Sequence, residues 1–286
     1  MKWQADLQRQ WAEISSRIVS GTDSTLRFAV LAAHPDDETI GASALLARFP
    51  RSLVVYLTDG APRDRRFWPA QVEGTSAQYA ELRRKECAAA LAHAGIESRQ
   101  TFWLGGVDQE AIFDVHRLAE KFAGFLAEHV PHAVVTHSYE GGHPDHDAAA
   151  LIARLAVTHA DRECPILEMT SYHAHGGQCV TGEFLPAEAP EIVLELAEED
   201  RRRKQRMLDD YASQRLVLES FPVGNERLRL APEYEFTLPP HEGKLWYECM
   251  GWPVTGARWR EVAAAYGPEL KMRSSAGEGD RATLVS

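Results

Sequence analysis

A Rossmann-like α/β three-layer sandwich, with a mostly parallel sheet and a C-terminal cap, is the fold this sequence predicts. Three observations point to it. Apolar runs without polar alternation, at 28–33, 52–58 and 133–136, read as strands buried on both faces. Helix patterns lie between them, at 39–49, 77–93 and 115–126, so strand and helix alternate and the connections are right-handed crossovers. Two of the runs stop abruptly in loops dense in His and Asp, at the strand ends where such sheets hold ligands.

The remaining elements follow from the same periodicities. Trp3, Leu7, Trp11, Ile14 and Ile18 recur at helical spacing, so 1–24 is read as an amphipathic helix and its turn. Residues 101–104, 166–170 and 192–196 are further strands, and 198–214 is helical. A sheet order of 3-2-1-4-5 would make the strands at 28–33 and 133–136 neighbours. The core is expected over 25–215. From 216 prolines break the periodicity, and 216–273 is read as a cap of the same domain; 274–286 is polar and glycine-rich, expected to be disordered. The long polar loop 62–76, after a strand's carboxyl end, is read as a substrate-covering loop.

Composition narrows the partners. With 286 residues, 44% hydrophobic, and a formal net charge of -11, the chain is ordinary globular protein whose acidic balance argues against nucleic acid. The basic run Arg201-Arg-Arg-Lys204 follows acidic Glu198-Glu-Asp200 and reads as a self-paired helix face. Four cysteines without CxxC spacing give neither a disulfide framework nor a thiolate zinc site. No apolar run approaches the ~20 residues of a membrane span, and the first residues carry no apolar leader. The expectation is a cytoplasmic protein that binds neither nucleic acid nor membrane, with the tryptophans of the first helix leaving room for a homo-oligomer.

The chemistry concentrates in two stretches. The first strand runs into His34-Pro35-Asp36-Asp37-Glu38, and one imidazole with three carboxylates at a buried strand end is costly without a partner or a metal. His34 and Asp37 are metal-ligand types, and Asp36 between them is free to handle a proton. The strand at 133–136 ends in the same way, in a loop from His137 to Asp147 that contains His143-Pro144-Asp145-His146. Two loops converging at the point where strand order reverses would face one crevice.

The pair AHPDDE and GGHPDHDA resembles the LmbE/PIG-L family of zinc-dependent N-acetylglucosaminyl deacetylases. The resemblance covers about 27–215. It implies a metal held by His34, Asp37 and His146, with water in the open position of a catalytic zinc; iron(II) also suits two histidines and a carboxylate. It implies Asp36 as general base, and His143 as oxyanion stabiliser and acid, helped by Asp145 because the helix N-terminus opposes a charged imidazole. Arg83, in an Arg-x-x-Glu pattern, and Asp108, in Leu-Gly-x-x-Asp, would hold sugar hydroxyls, and Lys204 with Ser213 and Gln214 is similar to the family's closing helix. Some members place an oxyanion-supporting tyrosine where this chain has Gly141; the nearest is Tyr139. The implied reaction removes the N-acetyl group from a small-molecule amino-sugar conjugate. Two alternatives stand beside it: an amidase cleaving a larger acyl group from a thiol-sugar conjugate, and a non-hydrolytic nucleotide-sugar-binding domain. The latter is opposed by carboxylates where pyrophosphate needs glycines. His137, His173 and His175 are read as bland, as are the six histidines outside these loops.

Overall fold

The computed structural model describes residues 2–21, 25–160 and 164–270. The side chain of Trp3 and the expected disordered tail lie outside the described residues. A helix α1 (Lys2–Ser20) buries Trp11, Ile14 and Ile18 on the domain's flank. Then β1 (Phe28–Ala32), α2 (Asp37–Arg48), β2 (Leu53–Thr58), α3 (Ser76–His93), β3 (Thr101–Gly106), α4 (Val115–His129), β4 (Ala133–His137) and α5 (Pro144–His159) alternate as expected. β5 (Ile166–Met169) follows, then a hairpin of β6 (Tyr172–His175) and β7 (Gln178–Thr181). The chain continues through β8 (Glu191–Glu195), α6 (Glu198–Asp210), α7 (Arg215–Leu218), β9 (Asn225–Leu230), α8 (Trp246–Cys249) and α9 (Gly256–Ala263).

The fold is α/β, with a central sheet ordered β3-β2-β1-β4-β5-β9-β8. The first five strands are parallel; β9 runs antiparallel to both β5 and β8. The strand order, not the strand direction, reverses between β1 and β4, which makes that gap the switch point. Every residue of β1, β2 and β4 is buried, because helices cover both faces. One apolar cluster packs α1, α2 and part of α3 with α6 on one face; the other packs α4, α5 and α9 on the opposite face. Local signals set the helix ends: Thr75 and Gln78 form a reciprocal capping box on α3, and Pro144 starts α5.

Two expectations change. The stretch between the strands expected at 166–170 and 192–196, which carries His173 and His175, reads as a loop from the sequence but forms the β6–β7 hairpin. More consequentially, the region read as a cap supplies β9, a strand inside the central sheet. Its sequence, NERLRL, hides the pattern because Glu226 and Arg229 are buried in ion pairs, with Lys204 (3.2 Å) and Glu168 (2.9 Å). The loop 62–76 is anchored: Trp68 packs on Tyr79, and Ala61, Val72, Tyr79 and Ala80 form a small apolar cluster of their own.

Candidate metal centre

β1 and β4 deliver their loops side by side at the switch point. The β1 loop turns sharply at Asp36, whose φ of 125° is rare for a residue with a side chain. That turn folds Asp37 back so that one carboxylate oxygen accepts the His34 backbone N–H at 2.8 Å. The β4 loop closes through two glycines. Gly141 has φ +70°, and a Cβ on Gly142 would lie 2.0 Å from the Tyr172 carbonyl, so the loop presses against the hairpin where no side chain fits. His143 ends the loop as N-cap of α5, its Nδ1 accepting the Asp145 N–H at 3.1 Å.

His34, Asp37 and His146 come together. Asp37 lies 3.3 Å from His34 Nδ1 and 3.2 Å from His146 Nε2, through different oxygens. His34, His143 and His146 offer nitrogen atoms within 4.8 Å of one another, and so do donors of Asp37, His137 and His146. All of these residues are buried. Burial presses the His146 imidazole down to about 3 despite Asp37, which leaves it neutral, the form that binds metal. Burial would raise the Asp37 carboxyl, but His146 and His137 hold it well below the usual range.

The donor set fits a divalent cation. Asp37, Asp108 and Asp145 crowd around His34, at 3.3, 3.4 and 3.2 Å. Burial opposes a charge on that ring, but Asp108, Asp145 and Asp37 together hold it well above its ordinary range. This is buried anionic charge arranged around a nitrogen ligand, and Asp108 Oδ1 has no hydrogen-bond partner among the described residues. A cation binding here would displace the proton.

Asp36 stands beside these donors, 2.9 Å from Arg83 Nη2. Burial raises its carboxyl, Arg83 pulls it back and Asp37 adds to the rise, leaving it at about 7. Arg83 also donates to the Pro35 carbonyl, while its Nε and Nη1 lack partners among the described residues. It is 2% exposed, so the helix α3 turns it inward instead of to solvent. Glu86, a turn on, accepts from the Ser213 N–H and hydroxyl at 2.8 and 2.6 Å, and Gln214 reaches Tyr79. The Arg-x-x-Glu and Ser-Gln segments therefore meet in space.

Asp145 does not orient His143 through its carboxylate. That carboxylate is turned to His34 and to the N–H groups of Gln109 (2.7 Å) and Ala111 (3.1 Å), leaving only its backbone N–H for His143. It meets the His34 ring instead, at 3.2 Å. His143 itself is held well below its usual range by burial and by His34 and His146, so it is a neutral ring with its proton on Nε2, 3.9 Å from Asp108. Tyr139 faces away: its hydroxyl donates to the Leu238 carbonyl at 2.9 Å and its ring packs among Tyr234, Phe236 and Trp259.

Two residues enter the site that sequence reasoning passed over. His137 stacks on His146 at 3.9 Å, accepts the Ala33 N–H and lies 3.3 Å from Asp37. Its signal was its place at the end of β4, matching His34 just past the end of β1. Trp252, half-buried, lays its ring 4.4 Å from His143, carried there by a segment whose Trp246 N–H bonds the Gly141 carbonyl at 2.8 Å. His173 is buried near Glu140 and His175 is exposed, neither among these donors.

The cluster of buried imidazole and carboxylate donors, built on two loops at the switch point of a parallel α/β sheet, fits a metal site. Residues 29–157 match the model of the PIG-L family, described as GlcNAc-PI de-N-acetylase. Solved structures share the fold at low identity. The zinc-inhibited form of teicoplanin deacetylase Orf2 is 18% identical, covering 71% of this chain and 97% of its own, with a TM-score of 0.51. N,N'-diacetylchitobiose deacetylase from Pyrococcus horikoshii is 15% identical over 78% and 93%, with a TM-score of 0.53. GalB, the 4-carboxy-2-hydroxymuconate hydratase of Pseudomonas putida KT2440, is 16% identical over 74% and 98%, also at 0.53. Among the described residues no helix is long and apolar enough to cross a membrane.

Proposed function

We propose that this protein is a metal-dependent hydrolase that removes the N-acetyl group from a small-molecule amino-sugar conjugate. One observation carries the reading: His34, Asp37 and His146 gather from two loops at the switch point, with Asp36 directly beside them. Those three residues would hold a divalent cation, zinc or iron(II), which supplies Lewis acidity and makes a bound water acidic near neutral pH. Asp36, poised at about 7 and steered by Arg83, takes a proton from the attacking water. His143, neutral, donates an Nε2–H hydrogen bond to the oxyanion and keeps its proton. The acid role expected of it needs a charged ring, so the proton that Asp36 took from water passes to the leaving amine as the C–N bond breaks. Asp145 and the N–H groups of 109 and 111 fix His34. Arg83 and Asp108, whose buried polar atoms lack hydrogen-bond partners among the described residues, would hold sugar hydroxyls.

The match to the de-N-acetylase family over 29–157 supports acetyl removal over other chemistry. The hydratase neighbour supplies the rival, since adding water to a double bond needs the same proton-handling groups. Acetate release from N-acetylglucosamine conjugates by protein loaded with zinc(II) or iron(II), measured against hydration of an unsaturated acid, separates the two. The Asp36→Ala variant is expected to lose turnover by about 10²–10⁴-fold while retaining metal. Full activity in that variant refutes the role of Asp36.

A further inference from the structure

One buried ion pair connects the second half of the chain to the turn that carries Asp37. α2 is not continuous: at Ala42 the backbone leaves helical dihedrals (φ -143°, ψ 18°). The break separates the first turn, 37–41, from 43–48, which anchors Leu45 and Leu46 in the core. A buried break strands backbone groups on both sides, and such groups need partners.

Two charged side chains from elsewhere supply them. Lys204 Nζ, from α6, donates to the Ile40 carbonyl at 2.6 Å and so closes the end of the first turn. Glu226, from β9, accepts the Ala44 N–H at 3.0 Å and the Ser43 hydroxyl at 2.5 Å, capping the start of the second part. The two close on each other at 3.2 Å, with both side chains 1% exposed. At the corner, Gly41 lies so near Met169 that a Cβ would sit 2.8 Å from its Cγ.

A buried pair that served stability alone could be exchanged for apolar residues at little loss. Here each charge also answers a backbone group that the kink would otherwise strand. Helical dihedrals at Ala42 would pivot the first turn against the part packed in the core, and Asp37 would swing away from His146. We infer that Lys204 and Glu226 are positioning residues for Asp37: they clamp the kink in α2 and so fix the turn that presents this carboxylate to a cation. The inference rests on the metal reading above. Both residues lie outside 29–157, the segment the family model matches; Lys204 falls in the helix that resembles the family's closing helix, and Glu226 lies beyond it.

The test is a zinc(II) titration of the metal-free chain against a chromophoric chelator, which reads affinity without turnover. Three proteins are compared. Lys204→Met/Glu226→Ala removes both clamps without leaving a lone buried charge. Arg227→Met breaks a neighbouring pair on β9 (Arg227–Glu191, 2.8 Å) and is the control for general loss of strand stability. The double variant is expected to bind zinc about 10- to 100-fold more weakly than wild type, as outer-shell losses do, while Arg227→Met binds normally. Hydrogen exchange over 37–48 in the metal-free double variant should be faster. If that variant does not fold, Lys204→Met/Glu226→Gln keeps a carbonyl for Ser43 and Ala44, and a loss of several-fold is expected from releasing Ile40 alone. Wild-type affinity in a folded double variant overturns the clamp, and so does an equal loss in Arg227→Met. A wild-type chain that binds no zinc overturns the metal reading, and the clamp falls with it.

Discussion

Residues 29–157 and residues 166–263 contribute differently to the same site. The first region supplies every donor gathered at the switch point: His34, Asp37, Asp108, His137, His143, Asp145 and His146. The second supplies no donor to those groups, yet it surrounds them with supports. Lys204 and Glu226 hold the kink of α2, Tyr211 donates to Glu38 at 2.6 Å, Ser213 holds Glu86, and Trp259 donates to the Pro144 carbonyl at 3.0 Å. Donors must sit within a few ångström of one ion, so they come from strand ends that already converge. Supports need only reach the backs of those loops, and any element packed behind can provide them. Chemistry is therefore compact in sequence, whereas orientation is spread along the chain.

The contrast is sharpest if substitutions in the two regions fail in different ways. His146→Ala should leave the fold in place but reduce metal content and turnover to about 1% of wild type or less, a larger loss than outer-shell changes produce. Elemental analysis and acetate release check it; metal retained at full stoichiometry would remove His146 from the ligand set. Trp259→Ala should do the reverse. This indole is fully buried against Tyr139 and Phe236, so its loss should cost about 3–5 kcal/mol of stability, while the folded fraction still binds metal. Urea unfolding measures the first and chelator competition the second.

A smaller effect comes from Glu140, on the β4 loop but tied to the second region by Arg229 (3.1 Å) and the Leu185 N–H (2.7 Å). Burial, partly offset by Arg229, raises its carboxyl from 4.5 to about 7. The folded chain then holds this proton more tightly than the unfolded chain, so its contribution to stability is full below pH 4.5 and is lost as pH rises toward 7. Glu140→Gln should flatten that part of the profile by about 1–3 kcal/mol, read by urea unfolding between pH 5 and 7.5. An unchanged slope would mean that Glu140 keeps its charge in the fold.

Legibility in the sequence followed the same division. The first five strands, their helices and the two donor loops were readable because both-face burial leaves uninterrupted apolar runs, and because His and Asp at strand ends have few structural uses. β9 was not readable. Its inward positions hold Glu226 and Arg229, and charged residues look solvent-facing until their partners, Lys204 and Glu168, are known. His137 reads as bland in the sequence for a related reason, since a lone histidine signals nothing until His146 is seen stacked on it. The family resemblance implied that Asp145 would serve His143; its carboxylate meets His34, more than a hundred residues away, because the first turn of α5 points it at the loop after β3.

By itself the sequence determined the α/β alternation, the two loops and the residue types that can hold a cation, since these depend on local period and on the chemistry of short segments. Only the tertiary structure decided which carboxylate serves which imidazole, that Tyr139 faces Leu238, and that a kink in α2 is closed from α6 and β9. Those contacts join residues from roughly one hundred to almost two hundred positions apart. Their partners are chosen by packing across the sheet, which no local pattern records.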